Sequence, residues 1–419
     1  MSERSAAPHS RFIAGSHASR NLLVLYAARA ARGFGDGFAV IILPAYLAEI
    51  GYDPFQIGIV AAAALLGTAA MTLAVGFLGG RHDLRNLLLL GAILMIATGL
   101  GFPQSEHIGF ILLIAFVGTM NPATGDLGVL VPLEHAAIAK ETADQDRTSA
   151  FARYSLIGAL ATAAGALAAA APDILNSLGF EKIAALKTMF YVYAGVGLIG
   201  AALYACLPKA KLQKTAAPST ALGPSRKIVY QLAALFSLDS FAGGFAVQAL
   251  VALWLFERFD LSLTAASLFF FWSNVFTAFS YPVAARLAKR FGLVNTMVFT
   301  HIPSSLCLIA AAFIPNLTIV LTLLLIRSAL SQMDVPTRTS YVMAVVTPAE
   351  RTAAASVTAV PRSLASALGP ALAGALMSTA VSGLPFVICG ALKIAYDVAL
   401  LFSFRHIKPP EEQIPRANH

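Results

Sequence analysis

Apolar residues fall in long unbroken runs along this chain, and polar residues gather in short clusters between them. "LLLLGAILMIATGLGFP" at 87–103 is one such run, and it lacks both the alternation of a half-buried strand and the polar face of a surface helix. A helix needs about 20 mostly apolar residues to cross the hydrocarbon of a bilayer. Runs of this kind occupy 22–47, 56–79, 87–103, 108–135, 149–172, 188–207, 228–256, 264–288, 293–314, 317–346, 353–379 and 383–405. The pattern predicts an all-α membrane protein with twelve transmembrane helices. Pro44, Pro122, Pro132, Pro282, Pro336, Pro361 and Pro370 fall inside these spans. Each removes a backbone hydrogen bond and permits a kink, which transmembrane helices tolerate where they line a cavity.

Composition agrees with a bilayer setting. Hydrophobic residues make up 58% of the 419 residues, charged residues only 12%, and the mean hydropathy is +0.75. The net charge of +8 does not come from basic runs with interleaved aromatics, so nucleic acid is not an expected partner. It follows topology instead. With both termini in the cytoplasm, 19 Lys and Arg fall on the inner side and only Lys182, Lys187 and Arg258 on the outer. Cys206, Cys307 and Cys389 lie in apolar segments without paired spacing, so neither a disulfide framework nor a metal site is expected. The first 20 residues show no short apolar core with a cleavage site, and the first helix is expected to persist. The longest polar interruption, "PKAKLQKTAAPSTALGPSRK" at 208–227, divides six helices at 22–207 from six at 228–405, with tails at 1–21 and 406–419.

The two sets repeat each other. "GFAV" at 37–40 returns at 244–247, and Asp53 returns as Asp260, both at a shift of 207. "LGGRHDLR" at 78–85 answers "LAKRFGLV" at 287–294, while "DRT" at 146–148 answers "ERT" at 350–352 and Gly165 answers Gly369 at a shift of 204. Each match is weak alone, but their common order marks two like-oriented pseudo-repeats.

Twelve spans in two like-oriented halves, a long central linker and a repeated basic loop after the second helix of each half make the chain resemble the major facilitator superfamily. That family's loop reads roughly G-x-L-A-D-R-x-G-R-R, and the two copies here are "GFLGGRHDLR" at 76–85 and "ARLAKRFGLV" at 285–294. Gly80 and Lys289 replace the usual Asp. The resemblance implies a gating role for Arg81, Arg85, Arg290 and Gly292; the plainer reading of the arginines is that they anchor the loops on the basic side.

Ionisable groups inside spans cost about 2.5 to 3.5 kcal/mol each at helix centre, so each needs a partner, water or a function. Arg29, Arg32 and Asp36 share one face of span 1, and Arg327, Asp334 and Arg338 recur at similar spacing in span 10. The resemblance places spans 1, 4, 7 and 10 around a central cavity, with Asp126 and Glu134 on span 4 and Asp239 on span 7. On this basis Arg29, Arg32, Asp36, Arg327, Asp334 and Arg338 are candidate substrate contacts, and Asp126, Glu134 and Asp239 are candidate proton carriers. Arg32 with Asp36 and Asp334 with Arg338 also read as neutralising pairs within one helix, which would leave Arg29 and Arg327 as free cations. Arg29 and Glu134 also read as snorkelling residues, and Lys393 with Asp397 as a structural one-turn pair.

Neither a phosphate-binding loop nor a clustered nucleophile and base is present, and the eight histidines are scattered. The sequence therefore predicts a secondary transporter and not an enzyme, with no cofactor. It would work as a monomer in a bacterial inner membrane, driven by protons and expelling a small organic molecule. Uptake of an organic anion or nutrient is the alternative, and a non-transporting sensor a third. Walls bearing Phe34, Phe241, Phe245 and Trp254 suit an amphipathic, anionic substrate better than a sugar.

Overall fold

The computed structural model describes residues 9–78, 82–123, 128–142, 146–209, 222–347 and 350–406. Among them every regular element is helical. In a bilayer no water satisfies exposed backbone groups, and a helix bonds all of its own.

The twelve predicted spans are all present, and four are divided. Helices α1 (His9–Glu49), α2 (Pro54–Leu78) and α3 (Leu84–Gly101) are continuous. Span 4 is split into α4 (Ile108–Val117) and α5 (Leu130–Glu141), and span 5 into α6 (Arg147–Ala168) and the short α7 (Ala171–Ser177). Helix α8 (Lys182–Ala205) completes the first half. Span 7 is α9 (Arg226–Gly244) and α10 (Gln248–Phe259), followed by α11 (Leu263–Phe291) and α12 (Leu293–Phe313). Span 10 is α13 (Leu317–Ser331) and α14 (Asp334–Val345), and α15 (Arg351–Met377) and α16 (Leu384–Phe404) close the chain. Among the described residues, eight stretches are long and apolar enough to cross a membrane by length and composition alone. Pro44, Pro282, Pro361 and Pro370 lie inside continuous helices, whereas span 7 breaks without proline, after Gly243 and Gly244.

The repeat has a steric cause. A Cβ on Gly37 would meet the Thr162 carbonyl oxygen at 2.1 Å, and one on Gly165 would meet that of Phe34 at 2.0 Å. In the second half, a Cβ on Gly244 would meet the Ser366 oxygen at 2.6 Å, and one on Gly369 the Gly244 Cα at 2.4 Å. Only glycine permits α1 to seat on α6 and α9 on α15 at this separation, so the recurring glycines mark the same helix contact built twice. The edge-to-face pairs Phe34 with Phe38 and Phe241 with Phe245 repeat beside them, at 5.7 and 5.2 Å between centroids.

The two halves meet on the face opposite the termini. There one apolar core runs through both, from Phe38 and Tyr46 to Leu250, Trp254 and Phe386. Toward the face that carries the termini the core divides into one cluster per half, around Leu88 and Tyr154 in the first and Phe236 and Tyr341 in the second. The buried apolar core is therefore shared by the halves on the far face and separate in each on the terminal face. Far-face bonds across the halves include Ala249 N–H to the Pro122 carbonyl at 3.1 Å, and Asp173 accepting from both N–H and Oγ1 of Thr264 at 2.8 Å. A Cβ on Gly374 of α15 would meet the Pro54 oxygen of α2 at 2.2 Å.

Candidate functional site

Each half holds one buried ionic cluster at the level where the common core divides. In the first half, Arg32 of α1 donates to Glu134 of α5 at 2.5 Å and to the Tyr154 hydroxyl of α6 at 2.9 Å. Tyr154 donates in turn to Glu134, and Tyr204 of α8 donates to its other oxygen at 2.6 Å. Asp36 lies 3.7 Å from Arg32, and the Arg29 guanidinium stacks over the Tyr154 ring at 5.1 Å. Gly158 leaves the room that the Arg29 guanidinium occupies, since a Cβ there would displace it. Four helices thus converge on one carboxylate.

In the second half, Asp239 of α9 accepts from Arg338 of α14 at 2.9 Å and from Lys393 of α16 at 2.7 Å. Arg338 also donates to Asp334 one turn away and stacks over Phe236 at 5.2 Å. Lys393 Nζ lies 3.3 Å from Nε2 of His301 on α12, whose Nδ1 lies 3.1 Å from both oxygens of Asp397. Arg327 of α13 and Arg362 of α15 are half-buried, and among the described residues neither guanidinium has a hydrogen bond or ion pair.

The clusters are related by the repeat, with their charges exchanged. The shift of 207 carries Arg32 onto Asp239, and the shift of 204 carries Glu134 onto Arg338. A cation on the first helix pairs with an anion on the fourth in one half, and the reverse holds in the other.

The family model described as Major Facilitator Superfamily matches residues 25–237 and 232–419. The chain belongs to that superfamily. A Saccharomyces cerevisiae relative described as "Uncharacterized membrane protein YJR124C" is 23% identical, over 94% of this chain and 96% of its own. Among solved structures, a point mutant of the nucleoside transporter NupG superposes with a TM-score of 0.74 at 14% identity, covering 92% of this chain and 100% of NupG. The inward-open Escherichia coli xylose transporter XylE gives 0.71 at 12%, with 94% and 98% covered, and the human organic anion transporter MFSD10 gives 0.64 at 16%, with 91% and 99% covered. The protein is a multi-pass membrane transporter of this superfamily.

Within the superfamily fold, the candidate residues divide into several groups. Arg29, Arg32, Asp36 and Glu134 come together in the first half, and Asp239, Asp334 and Arg338 in the second. Arg32 and Arg338 do bond along their own helices, but each also reaches another, so neither pair is purely intrahelical. Glu134 is 0% exposed and Arg29 is 3% exposed, which excludes snorkelling for both. Lys393 does not pair with Asp397: it reaches Asp239, and Asp397 turns to His301. Trp254 and Phe245, expected as walls of a cavity, are instead packed in the far-face core.

In the loops, Asp83 caps the start of α3 at Arg85, and Gly292, at φ 90°, joins α11 to α12. The Arg290 guanidinium lies over Phe291. Asp126 and Arg81 lie outside the described residues. Reading the sequence missed His301, Tyr154 and Tyr204. A histidine eight residues inside an apolar span was the available signal for the first; the tyrosines read as ordinary core.

Proposed function

We propose that the protein carries a small organic anion together with a proton. The supporting observation is the charge balance of the second half: neither the Arg327 nor the Arg362 guanidinium is bonded to an acid among the described residues, and the nearby Asp239 is already held by two other cations. An arginine fork suits a carboxylate or phosphate. Protonating a carboxylate of this cluster frees its cations for the substrate anion, so proton and substrate favour each other's binding. That linkage favours cotransport, the uptake alternative of the sequence reading, over the proton-driven efflux expected first from sequence. Proton-coupled efflux remains the second reading, on the strength of "LGPALAG" at 368–374, which resembles half of a family exporter pattern. MFSD10, described as an organic anion transporter, shares the fold with this chain and lends the substrate class a precedent.

Counterflow of labelled organic acids into liposomes bearing the purified protein tests the proposal. Arg327→Ala is expected to raise KM for the transported acid roughly tenfold or more, the loss of one charge-assisted hydrogen bond. An inward-acid pH gradient should drive accumulation under cotransport and depletion under exchange. Unchanged KM in both Arg327→Ala and Arg362→Ala would overturn the anion reading.

A further inference from the structure

The chain of contacts in the second half runs from its most exposed member, Lys393, to a dry end at Asp397. Side-chain exposure falls from 14% at Lys393 to 6% at Asp239, 3% at His301 and 0% at Asp397. Lys393 and Arg338 are both committed to Asp239, and Arg338 also to Asp334. The hydrogen-bonding partner of Asp397 is the His301 imidazole. A buried carboxylate without a bonded cation is costly, and a proton held by the pair removes that cost.

We propose that the transported proton is stored on Asp397, between α12 and α16, and that it arrives from the cavity through Lys393 and His301, not through Asp126 or Asp239 as the carrier. This rests on the proton-coupled reading above. The geometry fixes the order of events. An ammonium has only donors, so Nε2 of His301 accepts from Lys393 and Nδ1 carries the hydrogen donated to Asp397. In the transfer, an N–H bond of Lys393 breaks as one forms at Nε2. The Nδ1–H bond breaks as an O–H forms on Asp397. The imidazole stays neutral with its tautomer exchanged, and the amine of Lys393 regains a proton from a hydronium ion of the solvent, which becomes water, so one solvent proton has moved to Asp397.

The transfer also changes what Lys393 can bind. Nε2–H then faces the ammonium donor to donor, which opens that 3.3 Å contact and leaves Lys393 to Asp239 or to a substrate anion. The charged groups facing His301 are Lys393 and Asp397 of α16, Asp239 of α9, Arg338 of α14 and Arg327 of α13, with the Tyr396 ring edge-on. Those facing Asp397, besides His301, are Asp239, Lys393 and Arg338.

Infrared difference spectroscopy of the full-length protein in lipid, titrated with pH, reads the carbonyl stretch of a buried protonated carboxyl without needing a substrate. The wild type should show one such titrating band. It should be lost in Asp397→Asn, kept in Asp239→Asn and Asp126→Asn, and moved in its midpoint by His301→Gln. A band that survives Asp397→Asn, or that disappears with Asp126→Asn or Asp239→Asn, would overturn the assignment while leaving proton coupling intact. If Asp397→Asn does not fold, Asp397→Glu decides: a shifted band frequency is expected, and an unshifted one overturns the proposal. Absence of any titrating buried carboxyl in the wild type would remove the coupling reading itself.

Discussion

Glu134 shows how a charge survives inside an apolar bundle. Its two oxygens accept from Arg32, Tyr154 and Tyr204, so little of the desolvation cost is left unpaid by hydrogen bonds. Removing one partner of such a pair costs about 3 to 5 kcal/mol, because the other charge stays buried alone. Glu134→Gln should therefore lower the thermal midpoint of the detergent-solubilised protein markedly, and Arg32→Gln in the same chain should recover part of the loss. Wild-type stability in Glu134→Gln would show that the carboxylate holds nothing. At this scale the sequence was partly legible. It marked Arg32, Glu134, Asp239 and Arg338 because charges stand out in apolar spans, but it paired Arg32 and Arg338 along their own helices, where spacing can be read, and gave Glu134 and Asp239 no partner. The partners across helices depend on how the bundle packs, although the shifts of 207 and 204 already related Arg32 to Asp239 and Glu134 to Arg338.

Helices α5 and α14 are the short terminal-face pieces of spans 4 and 10, and each is tied into its own half by one of these ion pairs. Sequence located both spans from their apolar length but read each as one helix, because a kink and a full break look alike from prolines alone. Just beyond α14, Glu350 fastens the incoming chain. Its carboxylate accepts from the Gly223 N–H at 2.5 Å, the Ser225 hydroxyl at 2.6 Å and the Thr347 hydroxyl at 2.7 Å. Those donors, the Ser225 and Thr347 hydroxyls foremost, hold its pKa down from 4.5 to about 2. A depressed carboxyl contributes stability that is complete above its unfolded value and is lost as pH falls toward the folded one. Corrected hydrogen exchange at residues 223–229 should thus be flat from neutral pH down to 4.5 and rise only between 4.5 and about 2. In Glu350→Gln it should be raised throughout. A transition near neutral pH, or no change in the variant, would exclude this fastening.

At the scale of the molecule, the divided core is the telling feature. The buried core that the halves share lies toward the far face, and the charged clusters lie where it divides. Two repeats joined in this way can rock about a central site, opening one face as the other closes. The repeat itself was legible from glycines and loops, whereas which face is open was not, since both states use the same sequence. Paired spin labels measure that motion most directly. One pair, at Asp146 and Arg351, spans the terminal face, and another, at Glu106 and Ser262, spans the far face. In lipid nanodiscs titrated with pH, the terminal-face distance should shorten in the same population in which the far-face distance lengthens. Fixed distances on both faces under all conditions, or distances that grow and shrink together, would contradict alternating access in this protein.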